Sequence, residues 1–142
     1  MNEDVLTGGG AASLLAANDI AFNATGSLDN QAGATSTITL TADTDSAGGG
    51  AISLADGSVV DAWGGDLNLS ATDDISISLL RSSATITVDS TSGAIVDADA
   101  GAGVDVNRDG SLVLTASGDI GTGADALETE VDNLEAASAN GG

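Results

Sequence analysis

The chain has 142 residues and a formal net charge of −20, from 22 acidic side chains against two arginines, with no lysine, histidine, cysteine or proline. Lack of Cys and His excludes a zinc site of the usual kind, a thiol nucleophile, a Ser–His relay and His-ligated haem, and the charge opposes binding to nucleic acid or an anionic membrane. Yet 42% of the residues are hydrophobic, with one Phe and one Trp, so the chain has apolar surface to bury around a thin aliphatic core that suits a stacked solenoid.

In chain order, residues 1–18 read as an atypical first coil or cap. The start, Met1-Asn2-Glu3-Asp4, is acidic where a secretory signal is basic, and no apolar h-region follows. The expectation is a chain not exported by that route, or a piece of a longer exported polypeptide. No run of about 18 apolar residues occurs, so no membrane insertion is expected.

A short phrase then recurs. It reads Ile20-Ala21-Phe22-Asn23-Ala24 answered by Leu28, Leu67-Asn68-Leu69-Ser70-Ala71 answered by Ile75, and Leu112-Val113-Leu114-Thr115-Ala116 answered by Ile120. Looser copies are Ile38 to Ala42 answered by Ile52, and Ile86 to Ser90 answered by Ile95. The leading residues 20, 38, 67, 86 and 112 are 18, 29, 19 and 26 apart, and Leu134 begins a sixth copy 22 later. Within each copy the period is two, the mark of a strand with one buried face. Glycine and aspartate between copies, as in Gly64-Gly65-Asp66 and Asp109-Gly110, supply corners.

Intervals near 20 match the circumference of a parallel β-helix coil, with the longer intervals bulging or adding a third strand such as Ser58 to Trp63. The expected fold is all-β, a single solenoid segment over 1–142 of about six to seven coils, near 30 Å long at ~4.8 Å per coil. The rival is an antiparallel sandwich. Residues 124–137 are ambiguous: Leu127, Val131 and Leu134 keep helical spacing, whereas Leu127, Thr129 and Val131 alternate as a strand. Position in the array favours a last coil there over a short helix.

The phrases Asp66 to Ile75 and Ser111 to Ile120, with Gly118 to Leu134, resemble the degenerate repeats of filamentous-haemagglutinin-like exoproteins and other very large repeat-containing bacterial surface proteins. The resemblance spans roughly residues 19 to 140. It implies a right-handed parallel β-helix, export from a bacterial cell and a role as stalk or adhesive shaft. The N-terminal secretion domain of that family is not found here.

Asp105-Val106-Asn107-Arg108-Asp109-Gly110 matches the first half of an EF-hand-type calcium loop, in which alternate positions wrap oxygens around the ion. Asp105, Asn107 and Asp109 are therefore candidate metal ligands. Ala116 stands where the bidentate Glu belongs, so a further ligand would come from Asp97 or Asp99 on a neighbouring coil. The competing reading is a solvated acidic corner. Gly121 to Leu127 resembles one RTX nonapeptide but has no second copy in register. Thr35, Thr37, Thr39 and Thr41 read as outward polar residues of a strand, and Trp63 as packing. Asp73-Asp74, and Asp97 with Asp99, offer paired carboxylates for sugar cleavage, but acidic corners explain them as well. Arg81 and Arg108 are expected in weak surface pairs.

The function expected is a non-enzymatic structural or adhesive segment of an extracellular or cell-surface protein, stacking end to end with itself. The alternative is a calcium-dependent module that binds a glycan or cell-surface partner.

Overall fold

The computed structural model describes residues 4–99, 101 and 103–140. The acidic start at Met1 to Glu3 and the final Gly141-Gly142 lie outside them. Six coils follow one another. Coil 1 is β1 (Asp4–Leu6), β2 (Ala12–Leu15) and β3 (Ile20–Phe22); coil 2 is β4 (Ser27–Asp29), β5 (Ile38–Thr41) and β6 (Ile52–Leu54). Coil 3 is β7 (Val59–Trp63), β8 (Leu67–Ala71) and β9 (Ile75–Ile77), and coil 4 is β10 (Leu79–Ser82), β11 (Thr85–Ser90) and β12 (Ile95–Asp97). Coil 5 has β13 (Val106–Asn107) and β14 (Ser111–Ala116), and coil 6 has β15 (Thr129–Glu130) and β16 (Asn133–Ser138).

Equivalent strands of successive coils pair in parallel, giving two six-stranded sheets, β1-β4-β7-β10-β13-β15 and β2-β5-β8-β11-β14-β16, and a four-stranded sheet β3-β6-β9-β12. A bridge from Ile95 to Ile120 extends the third sheet by one residue into coil 5. This is the expected parallel β-solenoid, with six coils and, in the first four, three strands rather than two.

The second sheet is the recurring phrase made solid. Ile38, Leu67, Ile86, Leu112 and Leu134 stand in one column, and Leu40, Leu69, Val88 and Leu114 in the next. Alternation sends these inward, because successive strand residues point to opposite faces. Except for Leu134 at the last coil, all are buried. The fifth residue of the phrase, its third inward-facing one, is Ala or Ser. Where it is Ser90, the buried hydroxyl donates to the Asp73 carbonyl at 2.8 Å, so the polar atom is satisfied.

One copy belongs elsewhere. Ile20 does not head the column of Ile38; Ala12 does, and Ile20 stands in the third sheet in a run of five isoleucines, Ile20, Ile52, Ile75, Ile95 and Ile120. Coil 1 carries its own phrase, Ala12-Ser13-Leu14-Leu15-Ala16, whose leading small residue hides it. The true coil intervals in the second sheet are 26, 29, 19, 26 and 22 residues.

Residues 124–137 form no helix; they are β15, β16 and their connections, with Leu127 and Val131 packed against the core. Isolated helical spacing is overridden by the edge of β14, which offers six residues an in-register partner. Of the threonine run, only Thr39 and Thr41 lie in a strand, and their rows continue as Asn68 and Ser70, so no uniform threonine face exists. Among the described residues no helix is long and apolar enough to cross a membrane.

Corners are crowded by the coils above and below. A Cβ on Gly65 would run into the Ser36 carbonyl of the preceding coil. Aspartates add caps between coils: Asp19 Oδ1 accepts from Ala51 N at 2.9 Å, and Asp74 Oδ1 from Ala94 N at 2.8 Å, each just before an isoleucine of the third sheet. The aspartate of the Asp-Ile phrase is thereby a joint between neighbouring coils.

Candidate functional site

The acid-rich corner from β12 to β13 departs from the rest of the rod. Asp97 ends β12 opposite Ile77, on the row that alternation turns toward the core. Asp105 precedes β13, and its carbonyl accepts from Leu80 N while its amide donates to the Glu128 carbonyl, so it is threaded between coils 4 and 6. Asp99 lies in the connecting turn. One carboxylate oxygen from each of Asp97, Asp99 and Asp105 lies within 4.8 Å of the others.

One oxygen of each carboxylate accepts from a backbone amide. Asp97 Oδ1 accepts from Asp99 N at 2.8 Å, Asp99 Oδ1 from Gly101 N at 2.6 Å, and Asp105 Oδ2 from Glu128 N at 2.8 Å. Asp105 is 1% exposed. Its Oδ1, together with Asp97 Oδ2 and Glu128 Oε2, is buried without a hydrogen-bond partner. Burial pushes the Asp105 carboxyl up to about 7; the hydrogen bond from Glu128 N opposes the rise, and the charges of Asp97, Glu128 and Asp99 add to it.

Of the three residues that the calcium-loop pattern singles out, only Asp105 belongs to this group. Asn107 lies in β13, where its Oδ1 accepts from Arg81 Nε at 3.2 Å, and Asp109 is exposed. An EF-hand loop winds around its ion, whereas here Asn107 is drawn into β13, in register with Arg81 and Glu130, and Asp109 lies in the exposed turn beyond the strand. Asp97 and Asp99 do come in from the preceding coil. Glu128 escapes a motif search because it lies 23 residues from Asp105 and meets it only through the coil register. Adding one coil interval to each acid is the signal that finds it.

A second cluster lies on the outward face of the first sheet. Arg108 pairs in two-pronged fashion with Asp61, Nη1 to Oδ1 and Nη2 to Oδ2, both at 2.8 Å. The Arg108 guanidinium carbon is 4.1 Å from the centroid of the Trp63 ring. Trp63 has φ of 54°, at an irregularity where Ser82 pairs with Trp63 and Arg81 with Asp61. The Asp61 side chain is 5% exposed, so the expected weak surface pair is in fact a buried, stacked one. Arg108 reaches from coil 5 to coil 3 and clasps three coils together.

Other residues singled out in the sequence serve corners. Asp74 caps Ala94, and the Gly121–Leu127 segment closes as a turn in which Asp125 N donates to Thr122 Oγ1 at 2.9 Å. At the two ends of the rod, Val5, Leu6 and Leu15 of coil 1 and Leu134 of coil 6 are exposed, and β1, β2 and β16 each have one unpaired edge among the described residues.

No protein-family model, curated protein or solved structure matches the chain.

Proposed function

We propose that this chain is a non-enzymatic shaft segment of a bacterial surface or secreted protein of the filamentous-haemagglutinin-like kind, working outside the cell. The observation that carries the reading is the unbroken coil-on-coil register of the second sheet from β2 to β16. Backbone hydrogen bonds between parallel strands run along the rod, so tension applied at its ends is shared by two full-length ladders, with a third through the first four coils, and resisted by columns of aliphatic side chains. The phrases that resemble the repeats of that family, beginning at Leu67 and at Ser111, form β8 and β14 of this sheet. Its acidic neighbours, Asp19 and Asp74, join coils and do not converge on a reacting centre.

The two ends extend the reading to self-assembly. Val5 and Leu134 occupy core columns that lose their cover at the first and last coils. Coil 6 of one copy presents the edge that coil 1 of another would continue, a head-to-tail contact that does not close on itself and therefore propagates. Sedimentation at rising concentration, in salt sufficient to screen the charge, tests this. Concentration-dependent rods seen by electron microscopy, lost in Val5→Lys and in Leu134→Lys with unchanged circular dichroism, are expected. Monodisperse monomer at millimolar concentration would contradict it.

A further inference from the structure

We propose that the corner between coils 4 and 5 is a calcium site, with Asp97, Asp99 and Asp105 as its protein ligands. Three observations meet there. The first is the convergence of three carboxylate oxygens within 4.8 Å of one another, the span that a single ion with Ca–O distances of about 2.4 Å sets between oxygens on its opposite sides. The second is the state of Asp105: it is 1% exposed, one oxygen is held by the Glu128 amide, and the other has no partner. A buried carboxylate oxygen without a donor is strongly unfavourable unless something positive meets it.

The third is the supply of positive charge. The chain has two basic side chains, and both are engaged: Arg108 holds Asp61, and Arg81 Nε donates to Asn107. Among the described residues neither arginine is paired with Asp97, Asp99 or Asp105, and the Glu128 carboxylate, whose Oε2 is buried, adds further negative charge from the next coil. An external ion resolves the conflict. All the donors are hard carboxylate oxygens, and the carboxylates are held by the amides of Asp99, Gly101 and Glu128, an arrangement that suits a large, flexible oxygen shell. Magnesium demands a tight octahedron and keeps several waters, so calcium is the better match.

The consequence is mechanical. Asp97 ends coil 4, Asp105 begins coil 5, and Asp105 carries the Glu128 amide of coil 6. Bound calcium fixes this corner where the rod has no third-sheet strand beyond β12 to do so. The proposal goes beyond the shaft reading, and its test reads ion binding, not self-association.

The test is calorimetric titration of CaCl2, and separately MgCl2, into the chelator-stripped chain at pH 8 and constant ionic strength, with thermal melts alongside. One calcium per chain is expected, bound at least tenfold more tightly than magnesium, with a melting temperature raised by several degrees. Asp97→Asn and Asp105→Asn should each lose the response, while Asp56→Asn, at an exposed corner, should keep it. In chelator, Asp105→Asn should melt no lower than the parent, because the amide fills the site without a buried charge; this separates loss of ligation from loss of folding. No response in the parent chain, or an equal response in the parent and both ligand variants, would overturn the proposal, the latter showing only diffuse screening of surface acid.

Discussion

At the scale of single residues, the rod is decided by where its few unusual side chains sit. Asp61 is buried and satisfied by Arg108 and by the amide of Trp63, whose N donates to Oδ1 at 2.8 Å. Removing the arginine strands a buried anion. Arg108→Ala should therefore lower stability by about 3 kcal/mol in urea unfolding, and Arg108→Lys should recover less than half, since an ammonium neither forks to a carboxylate nor stacks on an indole in the same way. A loss within about 0.5 kcal/mol would reduce the clasp to an ordinary surface pair. Asp29 gives a pH-dependent counterpart. Burial and then the Asp61 charge raise its carboxyl above the usual value, against a hydrogen bond from Trp63 and the charges of Arg108 and Arg81. The native chain thus holds this proton to higher pH than the unfolded chain, so the associated stability is full below about pH 4 and lost as pH rises through the raised value. Asp29→Asn should flatten that decline relative to the parent; parallel stability–pH curves would contradict it. None of this is visible in sequence. Asp29 and Asp61 look like any other acids of an acidic chain, and the calcium-loop pattern that picks out Asp105 groups it with the wrong partners; what distinguishes all three is the neighbour supplied by another coil.

At the scale of elements, alternation within a strand is local and therefore legible. The phrases at Ile38, Leu67, Ile86, Leu112 and Leu134 lie in register as their pattern implies. The copy at Ile20 shows the limit: a phrase of period two fits any of the three sheets, and only the pairing with Ile52 assigns it to the third. The last coil was open to a helical reading because spacing over 13 residues carries no information about the strand edge waiting for it. Depth in the stack sets energetic weight. Ile75, with coils on both sides and no exposure, should cost about 3–4 kcal/mol when replaced by Ala, whereas Leu134→Ala at the half-exposed end should cost under about 1 kcal/mol. Equal losses would deny the buried column. At the corner, Gly65→Ala must push back the Ser36 carbonyl, and a loss of about 2 kcal/mol or more is expected from its denaturation midpoint; a neutral outcome would show that the coils are not so closely stacked there.

For the whole molecule, the physical problem is a net charge of −20 on a slender body. The interior solves the packing half with aliphatic ladders and one buried aromatic, Phe22. Outside, aspartates that repel one another are put to use as caps between coils, and the densest internal group is the one assigned to calcium. Composition alone announces a solenoid, because two large aromatics cannot fill a wide core; the position of the densest acidic corner requires the winding of the chain. That winding is the claim on which the shaft, its joints and its ion site depend. Because the chain has no cysteine, spin labels can be placed at will on the outward row Ser13, Thr39, Asn68, Thr87, Val113 and Glu135, whose members face one another in successive coils. Pulsed electron–electron distances from Ser13 to Thr87, Val113 and Glu135, on dilute monomer, should grow by about 5 Å at each step, to roughly 24 Å at Glu135. Distances that fail to increase along this series would contradict a stack of coils wound in one direction.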